Sequence, residues 1–149
     1  MVTLVDYDVH FLEKSWKWLN DPEIKSLTLT PDFTKEDQIK FYNSLPARAN
    51  YWIKGITEDN IPIGLVGLKN INTSQKSAEY WGFIGEKKFW GKGIGKFMIE
   101  EALKKARELN LKRVYLNVGS KNDRARNLYQ KMNFRKVSKG EIEQYDIEL

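Results

Sequence analysis

Three glycines within five residues, Gly91, Gly93 and Gly95, place the strongest constraint on this chain. An apolar, aromatic-rich stretch from Ser77 to Gly85 precedes them, and a pattern typical of a long helix follows from about Lys92 to Leu109. Glycine lets backbone amides come close to a ligand, and a helix that begins at such a turn directs unpaired N–H groups to the same place. The sequence therefore predicts an anion site between a strand and a helix, with phosphate as the first candidate.

Two common phosphate-binding motifs do not fit this turn. In the dinucleotide motif G-x-G-x-x-G, the last glycine would stand where this chain has Lys96. The P-loop requires a serine or threonine where this chain has Phe97. We therefore expect neither a Rossmann dinucleotide site nor a P-loop site.

Hydrophobic periodicity predicts the element order β-α-α-β-β-β-α-β-α-β-β in a single domain, residues 1–149. Predicted helices cover about residues 9–19, 34–45, 92–109 and 123–132, and the segment 23–30 stays unassigned. Predicted strands cover residues 2–7, 51–57, 61–70, 77–85, 112–118, 134–138 and 142–148. Because the long helix connects strand 77–85 to strand 112–118, these two strands should be parallel. We expect an α/β domain with a mixed central sheet of about seven strands and about four helices.

The composition excludes several chemistries. The chain has no cysteine and one histidine, His10, so a cysteine nucleophile and thiolate or multi-histidine metal sites are not available. No metal is expected. The formal net charge of +5 suits an anionic ligand or a nucleic acid, but acidic and basic residues are interspersed from Glu86 to Lys112, which is typical of a solvated helix face. Nucleic acid is therefore not the expected partner.

The location of the protein is expected to be the cytoplasm. The sequence has no run of about 18 apolar residues that would span a membrane. The stretch from Met1 to Asp8 has no signal-peptide pattern.

The glycine turn and a second block of residues resemble the GCN5-related N-acetyltransferase (GNAT) family. That family's turn is usually Gln/Arg-x-x-Gly-x-Gly/Ala, which matches Gly93 and Gly95, with Trp90 in the first position. The family's block Asn-x-x-Ala-x-x-Leu-Tyr-x-Lys-x-Gly-Phe matches residues 122–134, except that asparagine replaces the usual glycine. The Trp-Gly-Lys-Gly variant and the stretch Leu19–Glu23 resemble the branch with ribosomal-protein N-terminal and amino-sugar acetyltransferases. The resemblance covers nearly the whole chain and implies the GNAT fold.

The resemblance implies acetyl coenzyme A as the co-substrate. The turn and the start of the next helix would hold its pyrophosphate, and backbone amides around Ile84 would contact the carbonyl oxygen. Asn122 would hydrogen-bond the pantetheine amides or cap its own helix. Arg126 and Lys131 would reach the adenosine 3′-phosphate, although surface helices carry such residues in any case. The implied cofactor-binding residues are Phe83, Ile84, Gly85, Trp90, Gly91, Lys92, Gly93, Ile94, Gly95, Lys96, Asn122, Arg126 and Lys131.

The resemblance also implies catalytic residues. Tyr129 would be the general acid, because a phenol with a pKa of about 10 is roughly matched to a departing thiolate with a pKa of about 8.5. From spacing alone, a core-facing aromatic residue on a short helix is the favoured interpretation of Tyr129, and the resemblance reverses this. Glu79 would be the general base, and its alternative is a solvent-facing strand residue. Asp21 and Glu23, near the end of the first helix, would help to hold a cationic substrate.

The function implied is an acetyl-CoA-dependent N-acetyltransferase in which a primary amine attacks the thioester directly. Its acceptor would be an amino sugar, free or nucleotide-linked. A protein N-terminal amine of the ribosomal-protein type and a polyamine or other small amine stay open as alternatives. A non-catalytic acyl-CoA-binding protein with the same fold is a further alternative. The chain is expected to be a monomer or a homodimer.

Overall fold

Seven strands form one sheet in the computed structural model, which describes residues 1–149. In chain order they are β1 (Val2–Asp6), β2 (Trp52–Glu58), β3 (Ile61–Asn72), β4 (Ser77–Ile84), β5 (Arg113–Gly119), β6 (Arg135–Ser138) and β7 (Ile142–Glu148). Their order across the sheet is β1-β2-β3-β4-β5-β7-β6. Every neighbouring pair is antiparallel except β4 and β5. The predicted mixed sheet and its one parallel pair are confirmed.

Five α-helices accompany the sheet, one more than the sequence predicts. They are α1 (Val9–Asn20), α2 (Pro22–Leu27), α3 (Lys35–Ser44), α4 (Ile94–Glu108) and α5 (Asp123–Lys131), with short 3-10 turns at Leu45–Ala47 and Lys87–Phe89. None of these helices has the length and apolar character needed to cross a membrane.

The additional helix, α2, lies in the segment that the sequence pattern leaves unassigned. Its first turn contains Pro22, and the carboxylate of Asp21 accepts hydrogen bonds from the backbone N–H groups of Glu23 and Ile24 at 2.9 and 3.1 Å. Aspartate at the cap and proline at the first position both favour a helix start. The Asn-Asp-Pro turn that ends α1 therefore also begins α2.

The third helix begins with a capping box. The Thr34 hydroxyl accepts a hydrogen bond from the Asp37 N–H at 3.1 Å, and the Asp37 carboxylate accepts one from the Thr34 N–H at 2.9 Å. This box places α3 over the same face of the sheet as α1, with which it is in contact.

Hydrophobic side chains are buried on both faces of the sheet. The larger cluster of 18 buried residues joins α4 to one face and includes Tyr80. The smaller cluster joins α1 and α2 to the other face, and Trp81 and Phe83 pack against it. The members of the smaller cluster are Phe11, Trp18, Ile24 and Leu65. Successive residues of β4 therefore serve opposite faces, as the alternation of side chains along a strand requires.

The two parallel strands separate soon after they begin. They pair only from Ser77 opposite Arg113 to Glu79 opposite Tyr115. Beyond this point β4 continues along β3 to Ile84, and β5 continues along β7 to Gly119. A gap therefore opens between β4 and β5, and it widens toward the glycine turn.

Candidate active site

A cavity of about 1280 Å³ lies where β4 and β5 separate. Residues of α1 to α3 and of the facing strands line one side, which we call the α1–α3 side. The glycine turn, the start of α4, and α5 line the other, which we call the α4–α5 side. The residues predicted from the sequence that line the cavity are Glu23, Glu79, Phe83, Ile84, Trp90, Gly91, Gly93, Ile94, Gly95, Lys96, Asn122, Tyr129 and Lys131. Four predicted residues lie outside the lining, namely Asp21, Gly85, Lys92 and Arg126.

The glycine turn has the backbone conformation that glycine favours. Gly91 and Gly93 have φ angles of +72° and +81°, and no atom lies within 4 Å of the position that a Cβ would occupy at either residue. Gly93 is the N-cap of α4, and no side chain caps the helix there. The first N–H groups of α4 are therefore free to bind an anion, with the positive end of the helix dipole behind them. The left-handed conformation of Gly91 and Gly93 also explains why α4 begins at Ile94 and not at Lys92.

The side chain of Trp90 anchors the turn to the end of β4. Its indole N–H donates a hydrogen bond to the carbonyl oxygen of Ile84 at 2.8 Å. The Lys87 ammonium and the Arg124 guanidinium lie 5.9 and 5.8 Å from the ring centroid. The family resemblance implies Trp90 only as a cofactor-binding residue and does not indicate this anchoring contact. A tryptophan next to a turn could have suggested such a hydrogen bond, because its ring is apolar and its N–H is a donor. The acceptor, the carbonyl oxygen of Ile84, could be identified only in the folded chain.

Of the backbone amides predicted to contact a carbonyl oxygen, one points into the gap. The N–H of Gly85 is engaged, since it donates to the carbonyl of Ile63 at 2.7 Å. Successive N–H groups of a strand point to opposite edges. The N–H of Ile84 therefore points to the edge from which β5 has separated.

Tyr129 lies on α5 within an aromatic cluster. Its ring centroid is 6.3 Å from Tyr80, 5.9 Å from Phe134 and 6.3 Å from Tyr145. Burial raises the pKa of Tyr129 to about 12, because the charged phenolate would lose its hydration. The side chain also lines the cavity. The two interpretations of Tyr129 from the sequence are therefore compatible, since the ring packs in the core while the residue borders the cavity.

Asn122 caps α5 and lines the same cavity. Its side-chain oxygen accepts a hydrogen bond from the N–H of Ala125 at 3.4 Å. The capping interpretation is thus seen directly, while contact with a pantetheine amide stays a prediction.

Glu79 occupies the point where β4 and β5 separate. Its carboxylate accepts hydrogen bonds from the side-chain amides of Asn70 at 3.0 Å and Asn117 at 3.2 Å. The Lys69 ammonium lies 3.7 Å away, and the Glu79 side chain is only 13% exposed. The structure therefore shows a positioned carboxylate at the cavity wall and not a freely solvated strand residue.

Asp21 and Glu23 are brought together by Lys87. The Lys87 ammonium is 2.9 Å from the Asp21 carboxylate and 3.0 Å from the Glu23 carboxylate. Its hydrogen bond to Asp21 lowers the pKa of that carboxyl group. Nearby, the Trp18 indole N–H donates to Glu86 at 2.6 Å. These contacts join the corner between α1 and α2 to the segment that leads into the glycine turn, and only Glu23 of the two carboxylates reaches the cavity.

Arg126 faces β7, away from the cavity. Its guanidinium is 2.8 Å from Glu143 and 3.3 Å from Asp123. The Glu143 side chain is only 7% exposed and needs a cationic partner, which explains the orientation of Arg126. The cations of α5 and its preceding loop that do line the cavity are Lys121, Arg124 and Lys131.

The sequence also matches a known family of proteins. Residues 13–134 match the model of the acetyltransferase (GNAT) family, so the chain belongs to this family. An uncharacterised protein of Methanocaldococcus jannaschii is 28% identical over 133 residues. The match covers 87% of this chain and 27% of that protein, so the chain spans about a quarter of the length of this relative.

Several solved structures are similar to the fold. The spermidine N-acetyltransferase from Vibrio cholerae in complex with CoA and spermine has a TM-score of 0.89 and 24% identity, covering 99% of this chain and 95% of that chain. A domain from M. jannaschii has a TM-score of 0.85 and 22% identity, covering 100% and 99%. The Campylobacter jejuni N-acetyltransferase PseH in complex with acetyl coenzyme A has a TM-score of 0.77 and 20% identity, covering 99% of both chains. At these identities the likeness shows a shared fold.

Proposed function

We propose that this protein is an acetyl-CoA-dependent N-acetyltransferase, in which a primary amine attacks the thioester directly. One observation carries the proposal: the uncapped start of α4, the Glu79 carboxylate and Tyr129 all border one cavity where β4 and β5 separate. An anion site and two groups capable of proton transfer thus share one space. Membership of the acetyltransferase family supports the same reaction.

Acetyl-CoA suits the α4–α5 side of the cavity. The N–H groups of residues 91–96 would hold the pyrophosphate, because Gly91 and Gly93 leave open space beside the turn. The extended pantetheine arm would lie in the gap between β4 and β5. CoA and acetyl coenzyme A are present in the similar Vibrio and Campylobacter structures, which supports acetyl-CoA as the co-substrate. The cations available to neutralise the phosphates are Lys96, Lys121, Arg124 and Lys131.

Three groups of the chain would share the chemistry. Glu79 accepts a proton from the substrate ammonium, directly or through water, so that the amine nitrogen can form a bond to the carbonyl carbon. The N–H of Ile84 donates a hydrogen bond to the carbonyl oxygen as negative charge develops there, a contribution of about 2.7–4 kcal/mol at such sites. Tyr129 donates a proton to the sulfur as the carbon–sulfur bond breaks, and the nitrogen, which is cationic after the attack, loses its second proton, which restores the phenol of Tyr129. The products are an N-acetylated amine and free CoA thiol.

The raised pKa of Tyr129 is compatible with this role. A phenol with a pKa of about 12 is fully protonated at neutral pH and can therefore donate. A thiolate released beside it would also be desolvated, and burial raises the pKa of a thiol as well. The burial that raises the pKa of Tyr129 would therefore shift the pKa of the thiol in the same direction.

The sequence leaves three acceptors open, namely an amino sugar, a protein N-terminal amine and a polyamine. All three offer a primary amine, so the proposal covers each of them. The Vibrio enzyme, whose structure contains spermine, supports amine acetylation as the general reaction.

The experiment that tests the proposal is thiol release. Purified protein is mixed with acetyl-CoA and single amines, free CoA thiol is followed with a colorimetric reagent, and acetyl-CoA binding is measured separately by calorimetry. We expect micromolar to millimolar binding and amine-dependent thiol release. Absence of binding would refute the proposal. Binding without turnover on any amine would instead favour the non-catalytic acyl-CoA-binding protein.

A further inference from the structure

We infer that the acceptor is a primary amine with a single positive charge, carried on an apolar or aromatic group. This inference rests on the proposed function and specifies the substrate class of the same site. It follows from which groups on the α1–α3 side are already engaged within the protein.

The wall beside Glu79 is aromatic. Glu79 pairs with Lys69 across β4 and β3, and Trp81 pairs with Gly67 in the next row of the same face. A Cβ at Gly67 would lie 2.6 Å from the indole nitrogen of Trp81, so the missing side chain gives the indole its room against β3. Tyr51 lies beside this indole, with ring centroids 6.2 Å apart. A substituent on an amine held at Glu79 would therefore contact aromatic rings.

This wall continues into α3. The Phe41 ring meets Tyr51 edge-on at 5.3 Å, and Tyr7 and Ile53 complete the apolar lining next to them. An apolar group of the acceptor would bury its surface against these rings.

Only one carboxylate on this side is largely shielded from solvent: the Glu79 side chain is 13% exposed, whereas that of Glu23 is 58% exposed and Asp37 lies at the surface. The acidic residues that line it are Glu23, Asp37 and Glu79. Glu23 is paired with Lys87 at 3.0 Å. Asp37 is used by the capping box of α3. Glu79 receives only amide hydrogen bonds and the more distant Lys69.

A second ammonium would meet cations instead. The Lys69 ammonium already lies 3.7 Å from Glu79. The Arg48 guanidinium lies 5.6 Å from the Phe41 ring and 5.7 Å from the Tyr51 ring. The guanidinium therefore occupies aromatic faces to which a further ammonium could otherwise bind. A polyamine would thus have at least one ammonium group with no carboxylate to pair with, and an unpaired charge is costly in a partly buried site.

The hydroxyl and amide side chains between Ser15 and Gln38 that line the cavity are already paired. The Gln38 amide donates to the Ser15 hydroxyl at 2.7 Å, and the hydroxyls of Thr28 and Thr30 are 2.6 Å apart. An amino sugar would therefore have to displace these bonds to satisfy its own hydroxyl groups.

The test compares amines that differ in one property. Hexylamine and 1,6-diaminohexane share a carbon chain and differ by one amino group, phenylethylamine adds a ring, and glucosamine adds hydroxyl groups. The readout is kcat/KM for thiol release at saturating acetyl-CoA. We expect both monoamines to exceed the diamine, spermidine and glucosamine by at least about tenfold, the size expected for one uncompensated charge or several unmade hydrogen bonds.

A variant tests the charge argument directly. Lys69→Gln removes the cation beside Glu79 at a position whose side chain is 40% exposed, so folding should be unaffected. The ratio of hexylamine to diaminohexane should fall several-fold in this variant. The matched control is Lys54→Gln, another strand lysine, paired with Asp6 outside the cavity. Its ratio should equal that of the wild type.

The possible failures are distinguishable. If acetyl-CoA does not bind, the proposed function and this inference both fall. If acetyl-CoA binds and the diamine, spermidine or glucosamine is acetylated as well as the monoamines, the inference is overturned and the proposed function stands. Binding of acetyl-CoA with no acetylation of hexylamine or phenylethylamine also overturns it.

Discussion

Tyr129 combines a structural and a chemical position in one residue. Three aromatic rings surround it, and the cavity is on its remaining side. Removing the hydroxyl and keeping the ring separates these roles, because the packing depends on the ring.

Tyr129→Phe should therefore lower kcat by about 10²-fold, the lower end of the range for a positioned general acid. The change leaves the ring in place, so the thermal midpoint and the Kd for acetyl-CoA should stay close to those of the wild type. The measurement is the initial rate of thiol release at saturating substrates. Tyr115→Phe, on β5 outside the cavity lining, is the matched control and should keep full activity. An undiminished kcat in Tyr129→Phe would contradict the general-acid role.

The value of kcat/KM should rise with pH and should not fall again at alkaline pH. The folded pKa of Tyr129, about 12, is above the value of about 10 in an unfolded chain. The protonated, donating form is therefore retained up to about pH 10, and the stability that this phenol contributes is lost only as the pH rises through the folded pKa. Between pH 7 and 9.5, kcat/KM should increase as the amine loses its proton. A descending limb within this range that Tyr129→Phe abolishes would show that Tyr129 ionises much earlier.

The direction in which each side chain of the site points was the feature hardest to predict from the sequence. The position of Arg126 on α5 is compatible with a phosphate contact, but the buried carboxylate of Glu143 is 17 residues away in the chain and draws the guanidinium to β7. Asp21 and Glu23 are likewise paired by Lys87, more than 60 residues later. Spacing indicates which residue types are present, but the partners that compete for them are set by tertiary contacts.

At the level of elements, periodicity and turn chemistry predicted most of the fold. The long helical stripe of α4 and the crossover length it imposes were enough to predict that β4 and β5 are parallel. The helix α2 was missed because its six residues are too few to show a helical period. The separation of β4 and β5 has no signal in the local sequence, since no local pattern states where two strands stop pairing.

The connection between β4 and α4 should depend on Trp90. Trp90→Phe keeps an aromatic ring and removes the N–H that bonds the Ile84 carbonyl at 2.8 Å. We expect the turn to be held less firmly and the Kd for acetyl-CoA to rise several-fold, consistent with the loss of one hydrogen bond of about 1 kcal/mol. Calorimetric titration with acetyl-CoA measures this. Trp52→Phe on β2, whose indole N–H makes no hydrogen bond to the protein and which lies outside the cavity, should bind as the wild type. Equal affinities for both variants would contradict the anchoring role.

At the level of the whole molecule, the strands on the far side of the gap are held by ion pairs as well as by packing. The Asp146 side chain on β7 is only 6% exposed and lies 2.7 Å from Arg113 and 3.0 Å from Arg135. Burial alone would raise the pKa of Asp146, but the hydrogen bonds from Arg113 and Arg135 hold it below its ordinary value. The ion pair therefore joins β5, β6 and β7, the strands that support one side of the cavity.

Asp146→Asn should lower the free energy of unfolding at pH 7 by about 1–2 kcal/mol, since Arg135 is largely exposed and its contribution is screened. Because the folded pKa is lowered, this stabilisation is present above the unfolded pKa of about 3.9 and is lost as the pH falls through the folded value. Urea unfolding at several pH values should therefore show a shallower acid decline for the variant than for the wild type. Asp6→Asn, in an exposed pair with Lys54, is the control and should change stability little. Parallel acid declines for wild type and Asp146→Asn would refute the assignment.

The central claim is that the glycine turn before α4 binds acetyl-CoA, and calorimetric titration of a matched pair of glycine variants tests it most directly. Gly93 lines the cavity and has a φ angle of +81°, so Gly93→Ala puts a side chain on a left-handed residue. Gly140→Ala does the same at a φ angle of +139°, in the turn between β6 and β7 and outside the cavity. Both changes strain the backbone by about 1–2 kcal/mol, but only the first disturbs the N–H groups that would face the pyrophosphate. We predict that the Kd for acetyl-CoA rises at least about tenfold in Gly93→Ala and stays at the wild-type value in Gly140→Ala. Wild-type affinity in Gly93→Ala, or no binding of acetyl-CoA to the wild type, would contradict the claim.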